Sequence, residues 1–249
     1  NIIEKNNIHM VPLRFNFGDD HHVDKVTITS DEFWNELQNN PNHPQTSQPS
    51  PGDFQRQYQF LTGHYKNAIS IHLPAAVSGT LQSAKLAAKN NKELPIDLID
   101  SKNGSIGIGL IAISAAEAIK KGLNKSDILK EIDTAIDNTI VYIGLNTLEY
   151  VVRGGRVSPN KKKFADLFQI NPILTFKEDG VKAIGKTFGS KNKIEKFMKF
   201  VSSKLPSKNF RIGIAHGNAP EIEEKAIKHF KSLGAKQVIS TKLGPALAA

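Results

Sequence analysis

The residues best suited to chemistry in this 249-residue chain lie in two short loops. One reads Thr46-Ser47-Gln48-Pro49-Ser50-Pro51-Gly52; the other reads Pro74-Ala75-Ala76-Val77-Ser78-Gly79-Thr80. The second follows Ala68 to Leu73, whose isoleucines predict a buried strand. It precedes Leu81 to Lys89, whose Ala, Leu, Gln and Lys predict a helix. A strand, a small-residue loop and a helix N-terminus together make an anion site, because free N–H groups and the positive end of the helix dipole point into the loop. Gly79 lets a ligand approach the backbone closely, and Thr80 or Ser78 is expected to cap the helix. In the first loop the prolines hold the hydroxyls in set directions. Ser50 followed by Pro51 predicts an N-cap and first helical residue for a helix over Pro51 to Thr62. Neutral hydroxyls with helix N–H groups suit a carboxylate or phosphate that is bound and not transformed.

Other chemistries fit the residues less well. A nucleophilic Ser78 would belong to the pattern Gly-x-Ser-x-Gly, but Ala76 and Thr80 occupy the glycine positions. His64, His72 and His216 are the histidines available as a base, and no spacing ties one of them to Ser78. A serine hydrolase or esterase remains an alternative, as does a binder of another small anionic ligand. His21-His22 beside Asp19-Asp20 reads as an exposed hairpin loop and not as a metal site, which needs ligands held by rigid neighbours. Gly107-x-Gly109-x-x-Ala112 spells a dinucleotide fingerprint, but its glycines fall inside a helical stretch and not in a strand-to-helix turn. No cofactor or metal is expected.

The flanking pattern supplies the scaffold. A strand is expected across Ile8 to Phe17, then a turn at Gly18 to His22. A helix over Asp31 to Gln38 carries Phe33, Trp34 and Leu37 on its apolar face. Leu94 to Ile99 is a second buried strand; helices follow from Ser105 to Lys121 and from a Ser126 cap to Asp137, and Thr139 to Gly144 reads as the next strand. This alternation of strands and helices is the signature of a parallel sheet covered on both faces. The later part is different: a short helix at Thr147 to Val152, a basic helix over Lys161 to Gln169, and a hairpin of Pro172–Phe176 with Val181–Phe188. Ile194, Phe197, Met198, Val201 and Leu205 recur at helical spacing as a core stripe, and Phe210–Ala215, Ala219–Leu233 and Gln237–Leu243 close a smaller unit. The expected class is α/β: a doubly wound, mostly parallel N-terminal domain over residues 1–145, and a smaller α+β domain over residues 146–249.

Composition narrows the partners. The net charge is +9, yet only five of the 33 basic residues are arginines. Nucleic-acid readers lean on arginine for bidentate contacts, so no nucleic acid is expected, although a regulator binding it through the lysine surface is the third class to test. A solvated lysine surface that meets an acidic partner, or transiently an anionic membrane, fits better. The absence of cysteine excludes disulfides and thiolate-held metals and is compatible with a reducing cytoplasm. No signal peptide is visible. The most apolar run, Ile106 to Ile119, is too short and too interrupted to span a bilayer.

The series Thr46-Ser47-Gln48-Pro49-Ser50-Pro51-Gly52, Ser78-Gly79-Thr80-Leu81-Gln82-Ser83-Ala84, Asp100-Ser101-Lys102, Thr147-Leu148-Glu149-Tyr150 with Gly154-Gly155-Arg156, Pro172-Ile173-Leu174 and Leu243-Gly244-Pro245 resembles the DegV family. Motifs of this kind, in this order, cover essentially the whole chain. The resemblance implies a two-domain α/β protein with a long-chain fatty acid, such as palmitate, buried between the domains. It implies a non-catalytic role as the binding subunit of a bacterial fatty acid kinase, presenting the acyl carboxylate to a separate catalytic subunit for acyl phosphate formation and phospholipid synthesis. Carried over by motif, Thr46 and Ser78 hydrogen-bond the carboxylate with help from the Gly79 N–H, and Arg156 stands at the pocket mouth or a partner contact. Lys186 stands where an arginine is expected; it keeps the charge and loses the bidentate fork. The family pattern also has an Asp-Ser pair on an earlier strand and a His-Thr-Gly-Pro-Gly segment after Gly-Pro, neither of which falls within Asn1–Ala249. A protein lacking both would be expected to present its ligand poorly. Burying an acyl chain contributes about 0.8 kcal/mol per methylene, on the order of 10 kcal/mol for a long chain before ordering costs. Ile71, Leu73, Val77, Leu145, Ile173 and Phe188 are the candidate tunnel residues.

Overall fold

In a computed structural model the described residues are 2–145, 149–156, 171–187 and 192–248. The first strands are β1 (Arg14–Phe17), β2 (Asp20–Val23) and β3 (Pro44–Ser47), antiparallel in the order β2-β1-β3. The short N-terminal helix α1 (Ile2–Lys5) precedes them. The strand expected from Ile8 begins only at Arg14. Pro12 has no N–H to give a ladder, and Met10 is exposed. Phe15 and Phe17 share one face by the two-residue period of a strand. Both are buried against Phe33 of α2 (Ser30–Asn39), with ring centroids 5.4 and 5.8 Å away. Thr29 caps α2, exchanging bonds with Glu32 in a capping box. His21 and His22 prove to be strand residues, so they point to opposite faces; His22 stacks on Phe15 and bonds Asp20.

The central unit is the parallel pair β4 (Ala68–His72) and β5 (Ile96–Asp100), in register from Ala68↔Ile96 to His72↔Asp100. Alternation splits their side chains between two helical layers. Ile96 and Leu98 pack under Phe54 and Tyr58 of α3 (Pro51–Thr62) and Ala84 and Ala87 of α4 (Thr80–Asn90). Ile69, Ile71 and Ile99 pack under Ile111 and Ala115 of α5 (Ser105–Lys120) and Ile132 and Ile136 of α6 (Lys125–Asn138). Packing on both faces explains why apolar residues stand at positions of both parities along these strands. Ser50 caps α3 in a capping box with Asp53, with Pro51 at the first helical position, as the sequence predicts. Asn124, and not Ser126, caps α6; its side chain accepts from Asp127 N. Gly107 lies within α5, where a Cβ would overlap Val141, so this glycine serves close packing and no phosphate turn.

The segment after α6 departs from expectation. Thr139 to Gly144 yields only the two-residue strand β6 (Ile143–Gly144), and its partner is not the β4–β5 pair. It runs antiparallel to β7 (Asn171–Lys177), which forms a hairpin with β8 (Gly180–Thr187). Local bonds account for the shortening. The Thr139 hydroxyl donates back to Ala135 O at the end of α6, and Val141 O accepts from the Thr175 hydroxyl instead of a backbone amide. Between β6 and β7 the short helix α7 (Glu149–Arg153) is described; the basic helix expected over Lys161 to Gln169 lies outside the described residues.

The last elements are α8 (Lys193–Ser202), the parallel strands β9 (Arg211–His216) and β10 (Gln237–Lys242), the helix α9 (Pro220–Ser232) between them, and the terminal turn of helix α10 (Pro245–Ala248). Met198, Phe210, Ile212, Ala226 and Phe230 form their core, with Ile194, Val201 and Leu205 against it. The stripe predicted on α8 is therefore core. These late elements reach back to early ones. Arg211 pairs with Glu117 of α5 at 2.6 Å, Trp34 fills the space over Gly217, Lys242 pairs with Asp31, and Ala246 N donates to Asp24. Among the described residues no helix is long and apolar enough to cross a membrane.

Asp53 ties the start of α3 to β1. Its carboxylate accepts from Arg14 and from the Ser50 amide and hydroxyl, and Arg56 adds a second guanidinium. The Arg14 bond foremost, with those from Ser50, holds the Asp53 pKa down to about 2. A depressed carboxylate stabilises the fold above its unfolded pKa, and that contribution is lost as pH falls toward 2. Asp53→Asn should therefore lower the melting temperature at pH 7 by about 2–4 °C, and the gap from wild type should narrow below pH 4. A gap independent of pH would show that the charge on Asp53 is not what stabilises.

Candidate functional site

β4 and β5 end side by side at His72 and Asp100, and the loops that leave them open at one edge. Such an edge, at the carboxyl ends of parallel strands, is where open α/β sheets hold ligands. Asp100 organises it: Oδ2 accepts from Ala75 N at 3.1 Å and Oδ1 from Lys102 N at 2.8 Å. The amides of Val77 and Ser78 both donate to Pro74 O, turning the chain back into α4. The helix opens at Thr80 with Gly79 in the cap position, and no side chain caps it there. Thr80 does not cap the helix, while the Ser78 hydroxyl, one residue before the cap position, does take a first-turn amide as expected. The Ser78 hydroxyl accepts from Thr80 N, two residues on, at 3.3 Å and lies 3.4 Å from the Thr80 hydroxyl, while Thr80 itself is buried.

Beside this loop lies a cleft of about 620 Å³. Three segments distant in sequence line it: Thr46 to Gln48, Ala75 to Gly79, and Gly154 to Arg156. The structure thus brings Thr46, Ser78, Gly79 and Arg156 to one place. Thr46 sits on β3 opposite Phe15 and is half-buried. Arg156 is exposed at the rim, its guanidinium donating to Gly154 O at 2.6 Å. That turn depends on Gly155, whose φ of 72° lies in the left-handed region. Lys186 is placed elsewhere, on β8 opposite Pro172, and does not line this cleft. Of the candidate tunnel residues, Val77 lines the cleft. Ile71 and Ile173 are packed in the interior, and Phe188 lies outside the described residues.

The lining has hydroxyls, a carboxamide, one guanidinium and backbone amides, and no Asp or Glu among its described residues. It suits an anion. A base for Ser78 is not at hand: among the described residues no histidine bonds its hydroxyl. His216 accepts from Ala219 N and faces Glu223, His64 leans at a tilt on Phe60, and His72 turns into the core against Phe54. The contact that sequence reading missed is Gln48. A Cβ on Gly79 would overlap its carboxamide, and its Nε2 lies 3.4 Å from the Ser83 hydroxyl of α4. Gln48 stood within the hydroxyl-rich stretch, but an exposed glutamine carries no signal of its own; only the approach of the two loops reveals it.

With fold and cleft in view, comparison with known proteins is direct. A family model described as an uncharacterised protein of the DegV family matches residues 1–249. A DegV domain-containing protein of Staphylococcus aureus (strain COL) is 31% identical over 229 residues, covering 92% of this chain and 81% of that one. The chain belongs to the DegV family. Two solved structures resemble it closely: DegV, a fatty acid binding protein from Bacillus subtilis (TM-score 0.85, 28% identity, 99% of this chain and 89% of that one), and a fatty-acid-binding DegV family protein from Thermus thermophilus (TM-score 0.84, 26% identity, with the same coverage). The chain shares their fold, the α/β class with parallel sheets that the sequence predicts.

His72 offers a test of the strand end that carries the loop. It is buried, its Nε2 has no hydrogen-bond partner, and burial drives its pKa down to about 4 despite the Asp100 charge nearby. The unfolded chain takes up this proton near pH 6.5 and the folded chain only near pH 4, so stability should fall as pH drops across that window. His72→Leu should flatten that part of the curve in urea titrations at stepped pH. An unchanged slope would mean His72 is not the group responsible.

Proposed function

We propose that this protein binds a long-chain fatty acid and holds its carboxylate in the cleft between the Thr46 and Ser78 loops, without transforming it. One observation carries the reading: two neutral hydroxyls, a helix N-terminus and a rim arginine converge on a cleft that has no carboxylate among its described lining residues. The relatives described as fatty-acid-binding support the choice of a lipid over other anions. In this reading Thr46 and Ser78 donate to the carboxylate oxygens, the Gly79 N–H assists, and the dipole of α4 favours the negative charge. These groups orient the head, while the buried acyl chain supplies most of the affinity. The chain itself carries out no reaction. It presents the carboxylate to a separate fatty acid kinase, in the cytoplasm of a bacterium, for acyl phosphate formation and phospholipid synthesis. Arg156 at the rim and Lys186 on β8 are the cations assigned to partner or membrane-surface contact. The boundary between residues 1–145 and 146–249 is the proposed division between the two domains that enclose the acyl chain.

Mass spectrometry of an organic extract of the purified protein should find a fatty acid near one equivalent, absent from a mock purification. Extracts that stay empty, together with no binding of added palmitate, would reject the reading. Replacing Thr46 and Ser78 together by Ala should weaken palmitate binding by about a hundredfold or more, the loss of two hydrogen bonds to a charged group. Unchanged affinity would remove both residues from the head-group site.

A further inference from the structure

The two loops that supply the hydroxyls belong to different parts of the fold. Thr46 rides on the antiparallel sheet β2-β1-β3, and Ser78 on the parallel pair and α4. Their hydroxyls can act on one carboxylate only if the loops hold a set distance. Across the cleft, Gln48 spans the gap between them. Its backbone follows β3, its carboxamide lies against Gly79 in the space a side chain there would occupy, and its Nε2 reaches toward Ser83 one turn into α4. Among the described residues that 3.4 Å contact is the single hydrogen bond of this carboxamide, and it is a long one. A primary amide has two N–H donors and a carbonyl, so at least one N–H is left for a ligand in the cleft that Gln48 lines. Gly79 is needed here for room and not for its dihedral angles, since its φ of −80° is open to any residue.

We infer that Gln48 is a binding and specificity-determining residue: it clasps the Thr46 loop to the start of α4 and donates an N–H to the carboxylate of the bound lipid. This rests on the fatty-acid reading of the same cleft. Neutrality is the chemical point. A carboxamide donates to an anion without bringing a charge, whereas a carboxylate at position 48 would offer acceptors only and would repel the head group. The assignment also explains why positions 48 and 79 form a pair: any side chain at 79 displaces the carboxamide.

The test measures binding of palmitate and of 1-hexadecanol, which has a neutral head, to the whole chain at pH 8. Gln48→Ala should weaken palmitate about tenfold and hexadecanol by clearly less, because an N–H bonds a neutral hydroxyl more weakly than a carboxylate. Gln48→Glu should weaken palmitate further than Gln48→Ala, again with hexadecanol affected less. Gly79→Ala should weaken palmitate in the wild-type background and add nothing in the Gln48→Ala background, because both changes remove the same contact. Equal losses for palmitate and hexadecanol, or additive losses for Gly79→Ala and Gln48→Ala, would overturn the inference, as would unchanged palmitate affinity in the Gln48 variants. A wild-type chain that binds neither lipid would defeat the fatty-acid reading itself, and the Gln48 assignment with it.

Discussion

The structure depends on the parallel pairing of β4 with β5. Five residues of each run in register, so both strands stop at the same edge, at His72 and Asp100. Because helices cover both faces, the pair cannot slip by one residue without turning its apolar set to the wrong layer. The loop over Pro74 to Gly79 leaves that edge under a double tether, from the Asp100 carboxylate to Ala75 N and from Pro74 O to two amides. The backbone of Ser78 is placed by these bonds just before α4 begins.

The site is then a matter of bringing other segments to this edge. Thr46 arrives on a sheet with its own aromatic core of Phe15, Phe17 and Phe33. Arg156 arrives on a turn that only a left-handed Gly155 permits. The late strands brace the first part: β9 packs on α5, and Arg211–Glu117 and Lys242–Asp31 pair across. Two of the inward groups are costly by themselves. His72 is buried with a bare Nε2, and Asp24 is half-buried, with one oxygen unpaired and a raised pKa caused by its own desolvation. Both stand at junctions, His72 at the strand end and Asp24 against Ala246 of the terminal helix. Buried polar groups of this kind favour one packed arrangement over others only while their neighbours stay in place.

Much was legible from residue order alone. The runs Ala68 to Leu73 and Leu94 to Ile99, the proline-marked start at Ser50-Pro51, the hairpin around Glu178-Asp179 and the stripe on α8 are local patterns, and each formed the element its pattern names. Where sequence reading failed, a rival local bond had won. Asn124 bonded Asp127 before Ser126 could cap, and Thr139 bonded back into α6 and shortened the next strand. Such contests between neighbouring hydroxyls and amides turn on a fraction of a kcal/mol, which composition does not resolve.

The sequence by itself determined the α/β class, the two hydroxyl loops and the family, because periodicity and short motifs are properties of contiguous residues. Tertiary structure alone decided three things: that Thr46, Ser78 and Arg156 face one cleft, that Lys186 does not line it, and that Gln48 rests on Gly79. Those are facts of distance between segments thirty to over a hundred residues apart. They follow from how whole layers pack, and no window along the chain contains them.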